Sequence, residues 1–149
     1  MCYNTLMRIY LDNCCYNRPF DDQTQLKVRL ETEAKLAIQT MMRTGVLEYV
    51  WSDMLVTEVS DNPMQANCER ILAWRDLAAE YVHIDAAIER RAVEIMRLGV
   101  KTADAIHLAC AEAAGCDWFF TVDMGILKKT NGIGSMRVAN PIQFIEEME

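Results

Sequence analysis

Short β-rich segments alternate with amphipathic helical ones along nearly the whole chain, and this alternation constrains the fold more than any single motif. Parallel strands cannot be joined by tight turns. Each needs a crossover, usually a helix, and the helices must then cover the sheet. The pattern therefore predicts an α/β domain, a three-layer α/β/α arrangement around a central, mostly parallel sheet. Residues 8–12 alternate and break at Asn13, and the run Asn17-Arg18-Pro19-Phe20-Asp21 has loop chemistry. Over residues 23–44, Leu26, Leu30, Ala34, Ala37, Ile38 and Met41 recur at helical spacing, with Gly45 as a stop. Residues 46–51 are strand-like, Ser52 can cap a helix carrying Leu55 and Glu58, and Asn62-Pro63 opens another helix through Leu77. Residues 81–84 read as a strand containing His83. Asp85 caps a helix that runs to Leu98 and stops at Gly99, and Thr102 is the N-cap candidate for an Ala-rich helix ending at Gly115. Residues 118–122 form an apolar strand ending in Asp123, a small strand lies near residues 137–139, and Asn140-Pro141 opens the last helix.

A chain of 149 residues fits one domain with one core. Met7 begins the first strand, so residues 1–6 are expected to be an extension and residues 7–149 a single domain. With 52% hydrophobic residues and no biased tract, the chain should be globular. No apolar run approaches the ~20 residues a membrane helix needs, and no leader pattern is present, so a cytoplasmic protein with no membrane partner is expected. Six cysteines without a CxxC pair, and only two histidines, argue against zinc and for reduced thiols. The net charge of −7 argues against a general nucleic-acid coat protein, because the mean field repels a polyanion. Local nucleic-acid chemistry remains compatible with it when the acids themselves hold a cation.

Four acids stand out by position. Asp12 and Asp123 end strands, Glu58 lies on a helix, and Asp104 lies in a first helical turn. Each has an ordinary structural reading: a cap, a solvated helix residue, a macrodipole partner. In a parallel α/β sheet, however, the ligand crevice lies beyond the carboxyl ends of the strands at the topological switch, so these positions converge on one rim. Carboxylates brought that close repel unless a cation lies between them, and hard oxygen donors favour Mg²⁺ or Mn²⁺.

The segments "RIYLDNCCYNR", "SDMLVTEVSDNP", "KTADAIHLACAEAAGCDWFFTVD" and "VANPIQFIEE" resemble the PIN-domain family, in particular the VapC-type toxin ribonucleases, from Met7 to the end of the chain. The resemblance implies a PIN-like fold and Mg²⁺- or Mn²⁺-dependent cleavage of single-stranded RNA by an activated water. It assigns catalytic positions to Asp12, Glu58, Asp104 and Asp123, with Asp12, Asp104 and Asp123 on the metal. Thr121 matches the hydroxyl beside the last acid, and Asn13 the polar neighbour of the first. It also implies an antitoxin partner and a homodimer, for which Met41, Met42, Trp74 and Leu77 offer apolar surface. Met124, Gly125 and Ile126 follow Asp123 where family members often carry a further acid or phenylalanine; the alternative reading is a PIN-like interaction domain that does not cut.

Arg18 and Lys128, near the expected rim, are candidate phosphate contacts, with a solvated surface as the simpler role. His107, three residues after Asp104, shares its helical face and reads first as a buried, hydrogen-bonded histidine, second as a residue orienting a ligand. Asp53 and Asp61 flank Glu58 and compete with it by spacing alone. A receiver-like phosphohydrolase is disfavoured because Cys14 stands where a second aspartate would follow Asp12.

Overall fold

In the computed structural model, residues 6–149 are described; the expected extension at residues 1–6 falls, apart from Leu6, outside the described residues. The elements are β1 (Arg8–Leu11), α1 (Asn13–Asn17), α2 (Leu26–Arg43), β2 (Glu48–Ser52), α3 (Asp53–Ser60), α4 (Gln65–Leu72), β3 (Glu80–Val82), α5 (Ala86–Met96), α6 (Thr102–Ala113), β4 (Trp118–Phe120), α7 (Met124–Leu127), β5 (Gly132–Ile133), β6 (Met136–Ala139) and α8 (Pro141–Met148). Single 3₁₀ stretches cover Arg18–Phe20 and Ala73–Leu77.

The six strands form one sheet in the order β3-β2-β1-β4-β6-β5, parallel throughout except for β5 against β6. The α/β architecture expected from the alternation is the one observed. From β1 the chain moves outward through β2 and β3, then returns to place β4 on the other side of β1, so the switch point lies between β1 and β4. These two strands are buried on both faces: Ile9, Tyr10, Leu11, Phe119 and Phe120 have no exposed surface, as expected for the centre of a covered parallel sheet. Tyr10 stacks on Phe119 across the β1–β4 register at 5.2 Å between ring centroids. Burying each such side chain contributes roughly 1.5–3 kcal/mol, so a site at the end of these strands rests on a well-buried pair. Helix α5 packs on α6 and α2 on α8, covering the sheet.

Several local expectations are corrected. Asp12 does not lead into a loop: its side chain caps α1 by accepting from the Asn13 amide at 2.8 Å, and the Pro19 segment is a 3₁₀ turn. The strand before Asp123 stops at Phe120, and Asp123 instead caps α7, accepting from Gly125 N–H at 2.7 Å. The small strand is half of a hairpin whose turn carries Gly134 at φ 57°, a left-handed conformation suited to glycine. Lys101, not Thr102, sits at the N-cap of α6, and no side chain bonds there. His83 lies just past β3 with its ring exposed and pairs with Asp53, which also accepts from Tyr81 and the Ile84 amide. Asp53 therefore ties α3 to the end of β3.

The largest correction concerns α2. Leu26, Leu30 and Ala37 face outward, while Glu31, Thr32, Lys35 and Gln39 point inward with Ala34, Ile38 and Met42. Met42 is buried, Met41 and Trp74 are half-buried, and Leu77 is exposed, so the apolar surface named for a partner is only partly available. Among the described residues, the cysteines are free, and no helix is long and apolar enough to cross a membrane.

Candidate metal centre

The β1–β4 junction builds the centre. Asp12 N–H donates to Phe120 O at 2.9 Å, extending the strand ladder by one residue and fixing the carboxylate at the rim. Its Oδ1 caps α1 and its Oδ2 accepts from Thr121 Oγ1 at 2.9 Å, so this acid is buried and held from two sides. Thr121 also accepts from the Asp123 amide at 3.1 Å and so joins the first acid to the last. Ser52 caps α3 through the Leu55 amide, and the helix it starts carries Glu58 toward the same rim. Asp104 arrives in the first turn of α6.

Asp12, Glu58, Asp104 and Asp123 line one cavity of about 340 Å³ together with Asn13, Cys14, Asn17, Arg18 and Asp21. The Asp104 carboxyl is pushed up to about 6 by burial first, then by the charges of Asp12 and Asp123. Burial is the larger cause of that rise and the neighbouring carboxylates the second, with His107 acting against them. The carboxylates lining the cavity are hard oxygen donors, the kind that Mg²⁺ and Mn²⁺ take. Opening from this cavity, and sharing Glu58, Asn17 and Asp21 with it, is a second trough of about 370 Å³ walled by Phe20, Asp61, Asn62 and Asn67.

The supporting residues divide. Thr121 is buried between the acids, and Asn13 lines the cavity, its Oδ1 buried without a partner. Arg18 also lines it, with Nη1 3.0 Å from Asp21 and Nε, which makes no hydrogen bond, 3.4 Å from the buried Glu31. Lys128 is exposed and outside the lining.

His107, ranked first as a structural histidine, is fully buried and touches the centre as well. Its Nε2 bonds to Glu58 Oε1 and lies 3.8 Å from Asp12 Oδ1, while its Nδ1 is 2.5 Å from Tyr10 Oη. Burial pulls its pKa down, but the Glu58 hydrogen bond and the charges of Asp12 and Asp104 outweigh that and raise it. Tyr10 went unremarked in the sequence, and Cys14 was singled out there only as the residue standing where a second aspartate would follow Asp12. Cys14 Sγ lies 3.4 Å from Asp12 Oδ2 and 3.3 Å from Thr121 Oγ1.

Fold and cavity together define an α/β domain with a carboxylate-lined pocket at the switch point of a parallel sheet. The PIN domain family matches residues 56–132, more than half of the sequence, and the chain belongs to that family. Fourteen solved chains are similar in structure. The crystal structure of FitAcB from Neisseria gonorrhoeae aligns with a TM-score of 0.57 at 19% identity, over 89% of this chain and 97% of that one. VapBC2 from Rickettsia felis, bound to a DNA fragment from their promoter, aligns at 0.56 and 13% identity, over 90% and 98%. At these identities the likeness establishes the fold. Among curated proteins, none matches the sequence.

Proposed function

We propose that the chain is a metal-dependent endoribonuclease acting on single-stranded RNA, and the toxin of a toxin–antitoxin pair. The observation that carries the reading is the convergence of Asp12, Glu58, Asp104 and Asp123 on one cavity, with the Asp104 carboxyl raised by its neighbours. Asp12, Asp104 and Asp123 would hold Mg²⁺ or Mn²⁺, with Glu58 beside them as a ligand or proton acceptor. When bound, such an ion lowers the pKa of water and neutralises charge on a phosphate. The side chains do the remaining work: Thr121 fixes the facing direction of Asp12, α3 and α6 deliver Glu58 and Asp104, and a carboxylate left unligated takes the proton of the attacking water.

Membership in the PIN family supports nuclease chemistry, and the structural neighbours, one of them VapBC2, support an antitoxin partner. The purified protein is expected to cleave single-stranded RNA with Mg²⁺ or Mn²⁺ and to stop in chelator. Asp12→Asn should abolish cleavage. Equal cleavage by that variant would assign the activity elsewhere, and a chain that binds the ion but cuts nothing would be an interaction domain.

A further inference from the structure

We infer that His107 is a positioning residue for Glu58: a buried hydrogen-bond chain from the start of α3 puts its ring proton on Nε2 and aims it at the carboxylate. His107 thereby orients an acid of the centre and does not ligate a cation. The inference rests on the metal-nuclease reading for its purpose but on hydrogen-bond accounting for its content.

Ser52 Oγ accepts from the Leu55 amide at 3.2 Å and lies 2.6 Å from Tyr10 Oη, which lies 2.5 Å from His107 Nδ1; His107 Nε2 faces Glu58. Ser52, Tyr10 and His107 have no exposed surface, so water does not complete the chain. Only one direction leaves every proton placed. Ser52 donates to Tyr10, Tyr10 donates to Nδ1, and the neutral ring donates from Nε2 to Glu58.

The reverse direction sends Nδ1–H to Tyr10 and Tyr10 O–H to Ser52. It leaves the Ser52 hydroxyl proton without an acceptor among the described residues and sets a bare Nε2 lone pair against a carboxylate. A doubly protonated ring adds Nδ1–H and turns the Tyr10–Ser52 bonds the other way, at the cost of the Ser52 proton, but it too carries Nε2–H, so Glu58 receives a hydrogen bond in either charge state. Asp12, Glu58 and His107 offer atoms within 4.8 Å of one another, a spacing that alone suggests a nitrogen ligand. The chain occupies that nitrogen with a proton and leaves the centre all-oxygen, as Mg²⁺ and Mn²⁺ prefer. A carboxylate fixed through one oxygen presents the other in a single direction.

The test is ¹⁵N NMR of the imidazole in metal-free protein, at a pH where the ring is neutral, joined to Mn²⁺ titration of variants. Wild type should show the Nε2–H tautomer, unchanged by Mg²⁺, and Tyr10→Phe should keep it while the unprotonated Nδ1 resonance moves downfield as its hydrogen bond is lost. His107→Leu should weaken Mn²⁺ binding about 10- to 100-fold, and His107→Gln, whose amide can replace the Nε2 donor, should recover most of it. An Nδ1–H tautomer in wild type, or His107→Gln binding no better than His107→Leu, overturns the inference. If the His107 variants do not fold, the tautomers of wild type and Tyr10→Phe still decide it. Absence of Mn²⁺ binding and RNA cleavage in wild type would instead sink the metal-nuclease reading, while the metal-free tautomer would still test the hydrogen-bond chain.

Discussion

Asp104 occupies the first turn of α6, where an acid ordinarily gains by facing the helix dipole. Here burial and the charges of Asp12 and Asp123 work against it, which is why its carboxyl rises to about 6. Asp104→Asn keeps the shape and removes one charge, so in chelator at neutral pH the variant should melt above wild type. Mg²⁺ should narrow or reverse that order, because an ion that binds only the folded form stabilises the complete ligand set more. Paired melts check this; a destabilised variant with an unchanged metal response would make Asp104 an ordinary helix-start acid. The four acids could be brought together from the sequence because strand ends and helix starts have predictable places in a parallel sheet. The Ser52–Tyr10–His107 chain could not. Its contacts span 42 and 97 positions, and no periodicity links a strand tyrosine to a helix histidine at that range.

Helix α2 shows where pattern reading misleads at the scale of an element. Its leucines suggested the inner face, yet Leu26 and Leu30 are outside and Glu31, Lys35 and Gln39 are inside, one turn apart. Specific partners reverse the usual preference: Glu31 meets Arg18 and Asn140, and Lys35 lies over the Tyr16 ring at 5.8 Å. Helices α3, α5 and α8 were legible in kind because their caps are sequence-local, at Ser52, Asp85 and Asn140, whereas the short α1, α7 and β5 were not expected. Lys35 also gives a pH signature. Burial lowers its pKa to about 8, so between about 8 and its unfolded value near 10.5 the unfolded chain binds more protons, and this group's contribution to stability rises with pH. Below that window the buried charge is a penalty on the order of 3 kcal/mol. Lys35→Met should therefore be more stable than wild type at pH 7, with the difference shrinking as pH rises from 8 to 10.5. Parallel urea titrations at these pH values read the difference directly, and a constant gap would show that Lys35 is not desolvated.

Across the whole molecule, the outward stripe of α2 borders a groove with α8, floored by Leu30, Ala34, Ala37, Ile142 and Ile145 and edged by Glu33 and Glu146. If the chain dimerises as proposed, this surface is one candidate contact, and the groove carrying Trp74 and Leu77 is another. Light scattering should find a dimer for wild type and a smaller species for Leu30→Glu, whose charge would be stranded in the contact. A wild-type monomer at high concentration would remove the dimer from the proposal.

The engagement of Arg18 has a kinetic meaning. It is the cation among the residues lining the centre, paired there with Asp21, and it stands against five carboxyl groups, Asp12, Asp21, Glu58, Asp104 and Asp123, so the centre stays negative toward an arriving phosphate. On the proposed reading, association must then be ordered: RNA is repelled from the metal-free cavity and admitted only after the acids are neutralised. Such an enzyme would idle at low free magnesium through failed encounter as well as failed chemistry.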